Sequence, residues 1–561
     1  MWHYLKVTLL IILFFSIGLI NTVHESYPDE FDNILGGRYL IEGKPIYSDF
    51  FTHHGPTAYF VAVIPQLFSG ISFFGFRIVY AILLCIYLLW SYWFIRKRFP
   101  SEFSRLYLLF LFFLQVTLTY FWGHMLLADS IAALFLLPVF AFCTGLVLYE
   151  RSITPRELFV PGLLVFLALT SSFTYFFVCS LFYSFLLYRY FFNGKKIVLK
   201  EAFTAIGFLS APFIFLFVVF AIQGNLGDFY RQAYEFNKNY YIYNYPRPEG
   251  SSSFNPIRYA VAITYMFFSN TLSLLTQVPS ASLQYPVNVA LAVGFVCFVI
   301  YLLFRKQFIF AAFTLGVLTF ANVRSNPLTS KEPDYQIAVY FVLCLFVSFV
   351  FLWRAYVALR DKSFNRPQMF ILYGLFGICG ILFSFSSLTF IKYFSDKAYS
   401  KYMGLMPLIY DRPDIAPMVN AAITKDDYAW IGPFAFEDLW YMNAQVPSRY
   451  QIMIPAMKEA GLVQPMTDEI RSKRPKVIYF DKYFYVLGKS PETFGVPFLD
   501  FLSEEYVHYV DYRKGNKAYV TTTSITLKVD IEAKLYIRKD AVDEVTARLL
   551  EKGFIKEKIA D

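Results

Sequence analysis

Apolar residues along this chain gather in runs of membrane-spanning length, separated by short polar stretches that carry most of the charge. A helix needs roughly 20 apolar residues to cross the hydrocarbon core of a bilayer. By that measure span 1 is expected at 5–23, span 2 at 72–95, span 3 at 104–121 and span 4 at 127–149. Spans 5 and 6 share 157–191, with a break near Thr170–Ser172. Span 7 is expected at 201–222, spans 8, 9 and 10 at 286–304, 308–321 and 335–353, and span 11 at 369–391. Beyond Lys392 the apolar runs stop.

Three stretches break this rhythm. A polar loop, 24–56, follows span 1. Next comes Thr57–Phe68, a short apolar piece broken by Pro65 and Gly70, which predicts a half-helix returning toward the surface. The third, 257–280, contains Arg258, Ser269, Asn270 and Gln277 and has no basic residue at its far end. It predicts an interfacial or re-entrant helix.

Basic residues set the expected orientation, because cytoplasmic loops carry the excess of Lys and Arg. Arg96–Arg98, Arg151 with Arg156, Lys195 with Lys196 and Lys200, Arg305 with Lys306, and Arg354 through Arg366 follow spans 2, 4, 6, 8 and 10. That spacing predicts about eleven spans with the N-terminus in the cytoplasm. The first polar loop, the 122–128 turn, the aromatic segment Asp228–Pro256, the 322–334 loop and the C-terminal region then share the outer face. The expected class is an α-helical polytopic membrane protein with a transmembrane domain at 1–391 and a small extracytoplasmic α/β domain at 392–561. In the latter, Tyr428–Ile431, Lys476–Phe480 and Leu535–Arg538 read as strands, and Phe434–Met442 and Val542–Gly553 show helical periodicity.

Composition agrees with this class. The chain has 561 residues, 57% hydrophobic and only 16% charged, against roughly 25% charged in a soluble domain. The net charge of +9 sits at the ends of apolar runs, so it is a topology signal and no nucleic-acid partner is expected. All six cysteines lie within apolar runs without a CxxC spacing, which predicts neither a disulfide framework nor a zinc site. The N-terminal run has no small-residue cleavage site and is read as a retained span rather than a signal peptide.

Chemistry concentrates in Tyr27–Pro56, which holds Asp29, Glu30, Asp32, Glu42, Asp49, His53 and His54. Asp29 and Glu30 follow Pro28, as first-turn acids do at an ordinary helix start. Ionisable groups at the mouth of a membrane bundle also tend to mark a substrate site. Asp129 stands at the mouth of span 4, where a carboxylate is not expected to face lipid. It either carries chemistry or pairs with Arg38 or His124. Cations on the same face are Arg324, Lys331, His53 and His54. A divalent metal ion held by Glu30, His54 and Asp129 stands beside the metal-free reading, since no ligand spacing decides between them. The tyrosines and phenylalanines of 229–259 form either an interfacial belt or a surface for sugar rings or lipid.

These residues also carry a resemblance. The acidic pair Asp29–Glu30, followed by Gly37, Leu40, Gly43, Pro45, Tyr47 and Asp49 before a short re-entrant helix, resembles the GT-C glycosyltransferases. The nearest branch contains protein O-mannosyltransferases and lipid A aminoarabinose transferases. That branch commonly continues with K-P-P; here His54-Gly55-Pro56 stands in its place. Asp129 in LLADS, Lys331-Glu332-Pro333-Asp334-Tyr335 and Pro447-Ser448-Arg449-Tyr450 are similar to further family motifs. The resemblance implies a polyprenyl-phosphate-sugar donor and transfer with inversion to a glycan, lipid or protein acceptor on the outer face of a bacterial plasma membrane. It gives Asp29 or Glu30 as base; the outer-face cations Lys331, His54 and Arg324 are the candidate ligands of the donor phosphate, whose departing charge a cation stabilises. Asp49, His53, Asp129 and Tyr335 are supporting residues. Two other readings compete: a transporter or flippase for a lipid-linked glycan, and a non-enzymatic membrane scaffold.

Overall fold

A computed structural model describes residues 2–24, 26–192, 199–244, 256–276, 284–322, 335–403, 413, 415–482, 484–508, 518–522, 525–529 and 534–554. The fold is a helical bundle with a small mixed sheet at one end. The helices are α1 (Trp2–Ile20), α2 (Pro28–Ile41), α3 (Thr57–Ser69), α4 (Phe73–Arg96), α5 (Ser101–Thr117), α6 (Ala128–Leu148), α7 (Phe159–Ser171), α8 (Phe176–Phe191) and α9 (Leu199–Ile222). A short α10 (Leu226–Phe229) runs on as a π-helix over Tyr230–Tyr241. Then come α11 (Pro256–Thr276), α12 (Gln284–Phe304), α13 (Phe308–Ala321), α14 (Ala338–Arg360) and α15 (Arg366–Met403).

Seven helices among the described residues are long and apolar enough to cross a membrane. They match expected spans 2, 3, 4, 7, 8, 10 and 11. Seven of the eleven expected spans are thus matched among the described residues. α7, α8 and α13 have 13, 16 and 14 residues. At about 1.5 Å per residue they fall short of a hydrocarbon core of about 30 Å. Ser172, in extended conformation, stops α7 at the expected break. An eighth span is counted only if α1 and α2, which meet at 104°, are taken as one bent span. That bend turns α2 sharply away from the axis of α1.

The two ends of the bundle differ in chemistry. The C-terminal ends of α4, α6 and α8 converge on the basic residues. Arg151 pairs with Glu157 at 2.5 Å, Arg98 stands 3.9 Å from the same oxygen, and Arg189 donates to the carbonyls of Leu146 and Arg151. At the opposite end lie α2, α3, the turn before α6, and the C-terminal domain.

The domain's sheet has the order β1 (Ala429–Gly432), β2 (Val477–Phe480), β6 (Leu535–Arg538), β3 (Tyr506–His508). β1 and β2 are parallel; β6 runs antiparallel to both β2 and β3. β4 (Ala518–Thr522) and β5 (Ile525–Val529) form a separate hairpin. All four residues of β1 and of β2 are buried, as expected for strands covered on both faces.

This domain does not fold around a core of its own. Phe31, Leu35 and Tyr59 of the bundle end belong to the same apolar cluster as Trp430, Trp440 and Phe480. Trp440 is fully buried, lies with its ring centroid 6.1 Å from that of Phe31 and donates its indole N–H to Gln66 Oε1 at 3.1 Å. Arg38 donates to the carbonyls of Trp440 and Met442. Phe51 N–H donates to Arg449 O at 2.7 Å, and the Phe51 ring packs on Tyr450.

Candidate active site

α2 forms because Pro28 presets the first helical turn and two acids follow it at the positive end of the helix. The middle of α2 is built for close approach. A Cβ on Gly37 would come within 2.6 Å of Ala62 Cβ, so a glycine lets α3 lie directly against α2. Gly43, at φ +78°, then turns the chain out of the helix.

The acidic pair divides at once. Glu30 is fully buried. Its Oε2 accepts from Arg77 of α4 at 2.5 Å and its Oε1 accepts from Leu126 N–H at 3.1 Å. Burial pushes its carboxyl up, and Arg77 opposes that rise. Both oxygens are thus engaged in tying α2 to α4 and to the turn before α6. Asp29, one residue earlier, is half-buried and accepts from the Tyr335 hydroxyl at 2.6 Å. Tyr335 stacks near Trp122 at 5.9 Å and lies 5.5 Å from Tyr27, so the residue that holds Asp29 belongs to a cluster of three aromatic rings. Tyr27 and Trp122 are themselves 5.0 Å apart.

Asp32 lies one helical turn beyond Asp29. It is 7% exposed and accepts from the Tyr59 hydroxyl at 3.0 Å. Burial pushes its carboxyl up to about 7; the Tyr59 hydrogen bond opposes this and the charge of Asp29 adds to it. His54 Nε2 stands 3.9 Å away.

The loop after α2 is held from three sides. Tyr47, at φ +73°, donates its hydroxyl to His54 O at 2.9 Å. Asn225 donates to Ile46 O, Gln232 donates to Tyr47 O and accepts from Thr52 N–H, and Asn237 donates to His53 O. The aromatic segment expected as a loop is therefore helical where described, at Leu226–Asn244, and works as a strap over residues 46–53. The ring of His53 is buried between those of His54 and Tyr241, each 4.1 Å away.

No protein-family model matches the chain, and no curated protein matches its sequence. The site is consequently read from its own residues.

Of the expected residues, Asp29 and Tyr335 are brought into direct contact, and His54 stands beside the same helix. Asp49 is exposed in the turn after Pro45. Asp129 is fully buried in the first turn of α6. It stands next to the 122–127 turn, whose Leu126 O accepts from Asn33 of α2. Of its two expected partners, Arg38 and His124, Arg38 faces the C-terminal domain and Glu42 instead. Lys331 and Arg324 lie outside the described residues. No three His, Cys, Asp or Glu side chains among the described residues group as metal ligands. Glu30, His54 and Asp129 are accordingly not assembled as a ligand set.

Sequence reading passed over Arg77, Trp122, Tyr27, Tyr59 and the role of Asp32. Two signals were available. Arg77 is a charge inside an apolar run, which calls for a partner. Asp32 is three residues from Asp29, which puts both on one helix face.

Proposed function

We propose that this membrane protein is a glycosyltransferase that moves a sugar from a polyprenyl-phosphate carrier to an acceptor on the outer face of the membrane, with inversion. The observation that carries this reading is the contact of Asp29 with Tyr335, which clusters with Tyr27 and Trp122. An acceptor hydroxyl must lose a proton as it attacks an anomeric carbon, and a carboxylate within hydrogen-bond reach accepts it. Aromatic faces beside a carboxylate suit a sugar ring. Asp29 is the proposed base. Lys331, Arg324 and His54 are the proposed partners of the departing phosphate, whose charge they stabilise as it develops. The acceptor is a glycan, lipid or protein, and the membrane is the bacterial plasma membrane.

The test is sugar transfer by purified protein in lipid vesicles, offered a panel of polyprenyl-phosphate sugars. Wild type is expected to release lipid phosphate from one of them, and Asp29→Asn to lose that release while staying folded. Absence of release from every donor, with donor binding intact in wild type and mutant, would move the reading to transport or scaffolding.

A further inference from the structure

The end of the bundle opposite the candidate active site holds three arginines in one chain of contacts. Arg98 follows α4, Arg151 follows α6, and Arg189 lies in the last turn of α8. Arg189 donates to Arg151 O at 3.1 Å, Arg151 to Arg98 O at 3.0 Å, and Arg98 to Phe94 O at 2.9 Å. One carboxylate serves the group. Glu157 Oε1 lies 2.5 Å from Arg151 Nη2 and 3.9 Å from Arg98 Nε.

Part of this is ordinary helix-end chemistry, because basic side chains near a helix C-terminus bond the last carbonyls and oppose the dipole. That role leaves donors over. Arg98 Nε and Arg189 Nε are buried without a hydrogen-bond partner, and buried donors call for an acceptor. Arg98 Nη2, Arg151 Nε and Arg189 Nη1 donate to no protein atom among the described residues either, and they are not enclosed. The group is open to a ligand: the Arg151 side chain is 33% exposed and that of Arg98 20%.

The depth suits a lipid headgroup. Trp93, in the last turn of α4, is 49% exposed, and Lys97 Nζ lies 3.7 Å from its ring centre. An exposed Trp with a snorkelling Lys marks the membrane–water interface, where lipid phosphates lie. Exposed basic residues alone would supply the charge bias that orients the chain. Arginines pinned by carbonyls, with donors to spare, exceed that need.

We propose that Arg98, Arg151 and Arg189 form a binding site for the phosphate of an anionic phospholipid in the leaflet at this end of the bundle, with Glu157 as the carboxylate that the phosphate competes with. A guanidinium offers several donors in one plane, so it can keep its carbonyl contact and still bind a phosphate oxygen. Arg96, Lys97 and Arg156 are exposed close by in the chain and add attraction for a negative headgroup; Glu102 and Glu150, also exposed, oppose it. Neither the sugar donor nor its transfer enters the proposal, which stands or falls apart from the proposed function.

The test uses the full-length protein in nanodiscs of zwitterionic phosphatidylcholine with increasing fractions of anionic phosphatidylglycerol, and counts retained lipid by native mass spectrometry. Wild type is expected to retain phosphatidylglycerol in preference. Arg98→Gln with Arg189→Gln should weaken that preference about tenfold, and Arg96→Gln with Lys97→Gln, which removes the same charge from exposed positions, only about twofold. Equal weakening by the two pairs would overturn the site in favour of diffuse surface charge. Glu157→Gln should strengthen phosphatidylglycerol binding about fivefold, because the competing carboxylate is gone. This variant decides the matter where the arginine pair fails to fold: unchanged or weaker binding would overturn the proposal and leave the arginines as helix caps. Phosphatidylglycerol is expected to raise the unfolding midpoint, and inorganic phosphate added to pure phosphatidylcholine discs is not. A rise with inorganic phosphate alone would overturn the lipid as the ligand.

Discussion

Tyr335 and Asp29, 306 residues apart in the chain, are joined by a 2.6 Å hydrogen bond. The bond links the start of α2 to the residues immediately preceding α14. If Asp29 is the base, its replacement by Asn should lower transfer by about 10²–10⁴-fold, the usual contribution of general-base catalysis. Tyr335→Phe keeps the ring cluster and removes only the hydroxyl, and should lower kcat by about tenfold. Lipid-phosphate release under saturating donor distinguishes the two. Equal activity of Asp29→Asn and wild type would remove Asp29 from the chemistry.

Glu30 is expected to matter for stability rather than turnover. Removing one member of a buried ion pair strands the other charge and costs about 3–5 kcal/mol. Arg77→Met and Glu30→Gln should each lower the thermal unfolding midpoint in detergent. The combination of Arg77→Met with Glu30→Gln should recover a large part of the loss, because neither charge is left alone. A double mutant as unstable as the sum of the singles would contradict this account.

Much of the architecture was legible because hydropathy and helix-start chemistry act locally. Pro28 with Asp29 and Glu30 announced α2, and the break at Thr170–Ser172 was placed correctly. Three strands of the C-terminal sheet were read from buried apolar runs. What could not be read depends on tertiary approach. Nothing near Glu30 in the chain points to Arg77, 47 residues on. Asn225, Gln232 and Asn237 look like ordinary polar residues of an aromatic loop until residues 46–53 lie beneath them. The span count is matched only in part for a related reason. Apolar residues continue across a change of helix, so 13- and 14-residue helices read as full crossings.

The strap makes its own prediction. Gln232→Ala would leave Tyr47 O and Thr52 N–H without their side-chain partner inside a buried loop. Each stranded group costs about 1–3 kcal/mol. Hydrogen exchange should accelerate across residues 46–54 while the sheet of the C-terminal domain keeps its protection. Uniform acceleration over the whole chain would show that the strap supports the global fold instead.

The shared core predicts that the C-terminal domain is not separable from the bundle. Trp440→Ala removes a buried side chain that touches Phe31 and Gln66, and large aromatic truncations cost about 3–5 kcal/mol. The effect should appear on both sides of the contact. Protease sensitivity is expected to rise in the turn 42–56 as well as within the domain. Cleavage confined to the domain would mean that the loop holds its shape unaided.

Asp32 gives the pH dependence a definite sign. Its carboxyl is raised on folding from 3.8 to about 7. Between those values the folded protein binds more protons at this site than the unfolded chain does. Stability from this site is therefore complete below about pH 4 and is lost as pH rises through about 7. The loss is on the order of a few kcal/mol. Asp32→Asn should match wild type near pH 4 and become the more stable of the two above pH 7, since it has no charge to bury. Infrared difference spectra should also show a protonated carboxyl band in wild type that fades on raising the pH through neutrality and is missing from the mutant. His54 modulates the same window. Its cationic form would hold Asp32 ionised at lower pH, so His54→Gln should move the carboxyl band to higher pH. A band unaffected by His54 would mean that the 3.9 Å approach carries no electrostatic coupling.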